Sequence, residues 1–327
     1  MGTKSIAARL EAWFATARRE MPWRREVTPY ACYLSEIMLQ QTTFAGALGH
    51  YERFLAAFPT VEALAAADES AVLKAWEGLG YYARARNLLK AAKRIAREGW
   101  PTTLEGWQAL PGVGPYTAAA LASVLNGVRH SVVDGNVARV FARHWAISDD
   151  FRAQGARDRL AARLDREMAK AKVPGDFNQA MMELGALVCT PKSPACAGCP
   201  LAVTCLARQT GRQKAFPVRP ARKALPVREA KAVYVSDGRG RVLLVQNREG
   251  GLLKGLWDLP TLEHALDYGQ TFSHFRLALG VARAKAGARF VDPAKVPLTT
   301  AARKILKRLA GQHIAPAAAL EPNGADV

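Results

Sequence analysis

The sequence predicts a mainly α chain in which an all-helical domain is followed by a smaller α+β domain. Three observations carry this. From about residue 5 to 205, Ala/Leu-rich segments of helical period, such as 61–76 and 82–96, alternate with short Gly/Pro breaks and no strand signal. Between Ala207 and Lys231, eight Lys/Arg stand against the single Glu229, among Pro217, Pro220 and Pro226, which reads as an extended basic linker. Beyond it the period changes to two: residues 232–235 and 242–246 flank a hairpin-type turn at Asp237, Gly238, Arg239 and Gly240. The expected boundaries are a helical domain over 1–206, a linker over 207–229, an α+β domain over 230–313 and a disordered tail over 314–327.

Taken in order, the first helix shows an apolar face in Leu10, Trp13, Phe14 and Ala17. The N-terminus has no apolar h-region and carries Glu11 and Glu20, so neither a secretory signal nor an acidic-poor transit peptide fits. No apolar run reaches the roughly 18 residues of a membrane span. Lys and Arg number 46 against 28 Asp and Glu, a formal charge of +18, which points to a polyanionic partner. The last helix, over 299–310, sets Ala302, Ile305, Leu306 and Leu309 on one face and Arg303, Lys304, Lys307 and Arg308 on the other.

Residues 110–121 read LPGVGPYTAAAL. Gly112 and Gly114 permit a tight turn and close backbone approach, and Pro115 suits the first position of the next helix. Their amides, with a helix N-terminus behind them, form an anion site that reads no base sequence. L-P-G-V-G-x-x-T-A between two helices is the helix-hairpin-helix DNA-binding element. Asp134 follows in VVDGNV, at a helix start where a lone Asp is ordinarily an N-cap.

Five cysteines are an odd count, and Cys189, Cys196, Cys199 and Cys205 form C-x6-C-x2-C-x5-C, leaving Cys32 as a small buried hydrophobe. Four thiolates suit zinc, while one C-x2-C pair with wide outer spacings suits a loop around an iron–sulfur cubane. Spacing alone leaves the two level. Either way the site is a staple closing the helical domain.

Together with SEIMLQQT at 35–42, GLGYYAR at 78–84, DGNV, FNQAMMELGALVCT and the cysteines, these features closely resemble adenine DNA glycosylases of the MutY type, nearly continuously over residues 5–210. The resemblance implies a helix-hairpin-helix domain with a [4Fe-4S] cluster on the four cysteines, then a Nudix-like reader of 8-oxoguanine. It implies removal of adenine mispaired with 8-oxoguanine or guanine in duplex DNA, by a monomer in the bacterial cytoplasm or a eukaryotic nucleus.

The roles it implies make chemical sense, because departing adenine needs a proton and the sugar cation a carboxylate. Glu36 matches the general acid, which implies a raised pKa in a semi-apolar pocket. Asp134 matches the residue that stabilises the oxocarbenium ion, with Asn136 and Tyr116 orienting it and the water. Gln179, Trp23 and Arg24 match the base pocket, and Gln41 with Tyr81 or Tyr82 the wedge that fills the gap after extrusion. In the second domain, GLWDLP and TFSHF mark the reader, with Phe272, Ser273 and His274 as its probing loop.

Departures bear on this. Endonuclease III relatives carry a Schiff-base lysine where this chain has Tyr116, so strand cleavage is not expected. Ala138 replaces a lysine that traps the abasic product in some members, so trapping should be weak. The stretch from Pro260 to Phe272 is short, which puts fine reading of 8-oxoguanine in doubt. No R-E-x-x-E-E run is present, against pyrophosphate hydrolysis. Thr43 and Phe44 replace the polar-aliphatic pair common after QQT, with no consequence derivable from sequence. Two competing functions remain, a bifunctional glycosylase/lyase and a non-catalytic iron–sulfur DNA-binding module.

Overall fold

Capping chemistry sets where the helices begin. Ser5, Thr28, Thr43 and Thr103 each accept a hydrogen bond from a first-turn amide, opening the helices Ile6–Ala17, Pro29–Leu39, Phe44–Ala57 and Leu104–Gln108. Proline, which has no amide proton to lose, occupies the first turn of Pro29–Leu39, Pro115–Asn126 and Pro174–Leu187. The structure is a computed structural model that describes residues 4–218, 234, 236–237, 239–248, 253–260, 268–271, 276–279 and 288–310. Contacts divide the chain into two units, residues 1–66 with 87–224, and residues 67–86 with 225–327.

The first unit is helical. Ala7, Leu10 and Phe14 pack with Val137, Phe141, Leu160, Leu164, Met168, Phe177, Met181 and Leu184, all buried, so Gly135–His144, Gln154–Met168 and Pro174–Leu187 enclose the first helix. Gly185 permits the closest approach among them. A Cβ there would sit 2.6 Å from Asn136 Cβ and 3.0 Å from its backbone, so only glycine lets the two helices meet at this point. Asn178, fully buried, accepts from the Val132 amide (3.1 Å) and donates to Ser123 Oγ (2.9 Å) and the His130 carbonyl (3.0 Å). That bridge fixes the extended run leading into Asp134.

The second unit centres on the strand Val242–Gln246, paired antiparallel with Trp257–Asp258 on one side and Arg289–Val291 on the other. A separate antiparallel pair joins Tyr268–Thr271 to Arg276–Leu279. Val242, Leu244, Trp257, Leu259, Leu298 and Ala302 form its core. Residues 67–86 are built into this unit: Tyr82 Oη donates to the Leu298 carbonyl (2.9 Å), and Lys74 Nζ to that of Val296 (3.1 Å).

The expected helical segment 61–76 is two helices, Val61–Ala66 and Glu69–Ala75, with Asp68 opening the second. The expected hairpin turn is an Asx turn, Asp237 Oδ1 accepting from the Arg239 amide (2.8 Å) and the Arg241 amide (3.0 Å). Most of its first strand, and the expected tail, lie outside the described residues. The last helix, Thr300–Ala310, buries Ala302 but leaves Ile305 exposed, so its apolar face is only partly used among the described residues. No described helix is long and apolar enough to cross a membrane.

Candidate active site

A cleft of about 820 Å³ opens in the first unit, within the size range of small-molecule sites. Glu36, Tyr116, Asp134, Asn136, Gln179, Trp23 and Arg24 all line it. Sequence reasoning assigned these seven one by one, and the fold brings them to one cavity.

Glu36 stands on Pro29–Leu39, whose other side chains are mostly buried, and is itself half-buried at the cavity wall. Burial pushes its carboxyl up to about 7, the negative charge of Asp134 adds to the effect, and Arg24 opposes it. Asp134 serves as N-cap of Gly135–His144 while facing the same cavity. Its Oδ1 accepts from the Val137 amide (2.7 Å) and its Oδ2 from Asn136 Nδ2 (2.9 Å). Burial raises its pKa, against the pull of those hydrogen bonds and of Arg139. Asp134 therefore caps its helix and lines the cavity at once.

Behind Asp134 lies a chain of hydrogen bonds. Arg139 Nη2 donates to Asn136 Oδ1 (2.8 Å) and to the Gly185 carbonyl (2.7 Å), and its Nε donates to the Cys189 carbonyl (2.8 Å). Tyr116 Oη donates to Met182 Sδ at 2.9 Å. Burial, with the charges of Glu36 and Asp134, raises Tyr116 well above the ordinary phenol value, so it keeps its proton.

Arg24 Nε donates to Gln179 Oε1 (2.9 Å). A guanidinium offers only donors, so the Gln179 carbonyl must face it and the amide NH2 must point away. Gln179 is thus presented chiefly as a donor. Glu183, 2% exposed, anchors both arginines: Arg19 meets it through Nε (2.8 Å), Nη2 (2.9 Å) and its own amide (2.9 Å), and Arg24 Nη1 lies at 3.4 Å. Burial works against the Glu183 charge, but the hydrogen bonds of Arg19 together with the charge and hydrogen bonding of Arg24 hold the carboxyl below its ordinary range.

Among the described residues, three non-glycine positions have positive φ, and two are the wedge candidates Gln41 (57°) and Tyr81 (48°). Backbone held in this region costs energy and concentrates at functional loops. Tyr81 is 60% exposed, whereas Tyr82 is buried with its hydroxyl on Leu298, which leaves Tyr81 as the side chain presented outward. In the hairpin, Gly112 has φ of 78° and a Cβ there would lie 2.8 Å from Asn87 Cβ, so both backbone and space demand glycine. Gly114 caps Pro115–Asn126 at an ordinary φ of −85°. Phe272, Ser273 and His274 lie outside the described residues.

Cys189, Cys196, Cys199 and Cys205, all half-buried, ring a small pocket just past Pro174–Leu187. Arg143, 2% exposed, clamps the loop: Nη1 lies 3.3 Å from Cys189 Sγ and 2.7 Å from the Thr190 carbonyl, Nη2 2.9 Å from that of Pro191, and Nε 2.9 Å from that of Gln213. No group of three or more His, Cys, Asp or Glu among the described residues is drawn together as a single-ion site. Four thiols around one pocket, with a guanidinium to offset thiolate charge, are a donor set that fits a sulfur-ligated cluster. Asn178, Glu183, Arg139 and Arg143 escaped the sequence reading, since polar residues inside helices ordinarily face water. The FNQA and ELG runs around the first two were the available signal.

Residues 34–165 match the model of the HhH-GPD superfamily of base excision DNA repair proteins. The fold agrees: 62% of this chain superposes on 95% of a thermostable thymine-DNA glycosylase, at TM-score 0.55 and 25% identity. An endonuclease III in a trapped covalent complex with DNA matches at TM-score 0.51 and 22% identity, over 63% of this chain and 94% of that one, a likeness of fold. The chain thus carries a carboxylate-bearing cleft on the helical scaffold of this superfamily.

Within that class the chain belongs to the adenine DNA glycosylase family. It is 30% identical to the adenine DNA glycosylase of Buchnera aphidicola subsp. Acyrthosiphon pisum, over 84% of this chain and 85% of that protein. It is 36% identical to the Homo sapiens adenine DNA glycosylase over 77% of this chain, spanning 56% of the human protein's length.

Proposed function

We propose that this chain is a monofunctional DNA glycosylase that removes adenine mispaired with 8-oxoguanine, or with guanine, from duplex DNA and leaves an abasic site uncut. The observation that carries the reading is the pair Glu36 and Asp134 in one cleft, with Glu36 pushed up to about 7. A carboxyl with that pKa is near half protonated at neutral pH, so it can give a proton and take one back. Asp134, oriented by Asn136 and the Val137 amide, sits ready to steady positive charge.

The N-glycosidic bond breaks, its electron pair leaves with the purine, and the Glu36 proton goes to a ring nitrogen. The sugar cation is held by the Asp134 carboxylate, directly or through a transient ester. Water attacks the anomeric carbon and its proton returns to Glu36. Gln179, oriented by Arg24, donates to an acceptor on the base edge, and Tyr116, fixed on Met182, supports the water. Two carboxylates working across a glycosidic bond follow the logic of sugar hydrolases. With Tyr116 where a lyase would carry lysine, strand cleavage has no nucleophile.

Cys189, Cys196, Cys199 and Cys205 would hold a [4Fe-4S] cluster, which supplies a rigid staple for the loop that Arg143 also clamps. Gly112, Gly114 and the basic linker would follow phosphates; Gln41 and Tyr81 would fill the vacated stack; residues 230–313 would form a shortened Nudix-like reader of the opposite base through Phe272, Ser273 and His274. Single-turnover assays on A:8-oxoguanine and A:G duplexes test the reading, with strand breaks expected only after alkali. Strong borohydride trapping of a protein–DNA adduct would favour the lyase instead.

A further inference from the structure

Phe44 follows the QQT run, and the chemistry above does not use it. It opens the Phe44–Ala57 helix, behind the Thr43 cap. That helix buries Ala47, Tyr51 and Phe54, a stripe at helical spacing. Phe44 continues the stripe one step back, beyond the core and into the wall of the cleft that holds Glu36 and Asp134. The ring is half-buried and fixed from two sides. Trp23 meets it edge to face, centroids 5.9 Å apart at 68°, and Trp23 is itself set against Tyr51 at 4.9 Å and 64°. The Arg19 guanidinium lies 5.4 Å from its centroid and is itself paired with Glu183 at 2.8 Å.

An aromatic ring immobilised in the wall of a polar cleft offers a flat apolar surface beside groups that read hydrogen bonds. We infer that Phe44 is a specificity-determining residue on which the extruded base stacks, with Trp23 and Arg19 holding its ring in register. The ligand is a two-ring heteroaromatic base, since a purine covers more of such a surface than a pyrimidine does. This rests on the adenine-glycosylase reading, and goes beyond it by assigning the base a stacking partner.

The test measures affinity in a Glu36→Gln background, which keeps the base attached. Two duplexes are compared, one with adenine opposite 8-oxoguanine and one with a tetrahydrofuran abasic site in place of the adenine. Phe44→Leu keeps most of the volume and removes the π face. It should weaken binding of the adenine duplex by roughly 5- to 150-fold, the range implied by losing one base–aromatic stack. Binding of the abasic duplex should be unchanged, and Phe44→Tyr should retain both affinities. Loss of neither affinity overturns the inference, and equal loss of both shows a merely structural ring and overturns it too. Adenine release by the otherwise unaltered protein is measured in parallel. Its absence would reject the underlying reading, whereas release with no Phe44→Leu effect rejects only the stacking role.

Discussion

Glu36→Gln should make the protein more stable at alkaline pH while abolishing its chemistry. The Glu36 carboxyl rises from an ordinary 4.5 to about 7 in the folded chain. Because this is an acid whose folded pKa is raised, its effect is a penalty. Below pH 4.5 both states are protonated and the penalty vanishes. Between 4.5 and 7 the unfolded chain ionises while the folded one does not, and folding loses stability at ~1.36 kcal/mol per pH unit. Above 7 the full gap applies, about 3 kcal/mol. Glutamine carries no proton equilibrium and escapes it. Reversible urea unfolding of both proteins at pH 5 and pH 8 measures the difference. Glu36→Gln should be more stable by about 3 kcal/mol at pH 8 and by under about 1 kcal/mol at pH 5. An equal difference at both pH values, or none at pH 8, would refute the claim that burial in this cleft raises the carboxyl.

Other outcomes follow from the same geometry. The single-turnover rate should fall about tenfold per pH unit above pH 7 as Glu36 loses its proton, and a rate that is flat from pH 7 to 9 would count against it as the acid. Asp134→Asn should keep the helix cap, since Asn caps as well as Asp, yet lose at least about 10²-fold in rate, read by melting and single-turnover assays together. Gly185→Ala should cost about 1–3 kcal/mol and lower the rate, because its methyl would displace Asn136, with urea unfolding as the check. Arg143→Met should lower bound iron per chain, assayed by visible absorbance and iron analysis, because it removes the clamp on the cysteine loop.

Much of this was legible in the sequence because it is local. Gly112 and Pro115 declare themselves through backbone chemistry, and the helix that Pro115 opens begins where expected. Glu36 and Asp134 were legible only through their motifs, since a carboxylate in a helix or at its start ordinarily faces water or caps the turn. Their meeting in one cleft depends on Gly185 and Asn178, whose partners lie far away in sequence. The grouping of residues 67–86 with the C-terminal segment was illegible for the same reason. Tyr82 carries no local sign that its hydroxyl reaches Leu298, and that contact is what separates it from Tyr81. Glu183 reads as a surface charge until Arg19 and Arg24 are seen around it.

The most direct test of the central claim is product analysis after single turnover on a duplex holding adenine opposite 8-oxoguanine, with Asp134→Asn run beside the unaltered protein. Free adenine and a strand that breaks only under alkali are expected from the unaltered protein, with little adenine and little alkali-dependent breakage from the variant. No adenine from the unaltered protein, or strand scission without alkali, would contradict it.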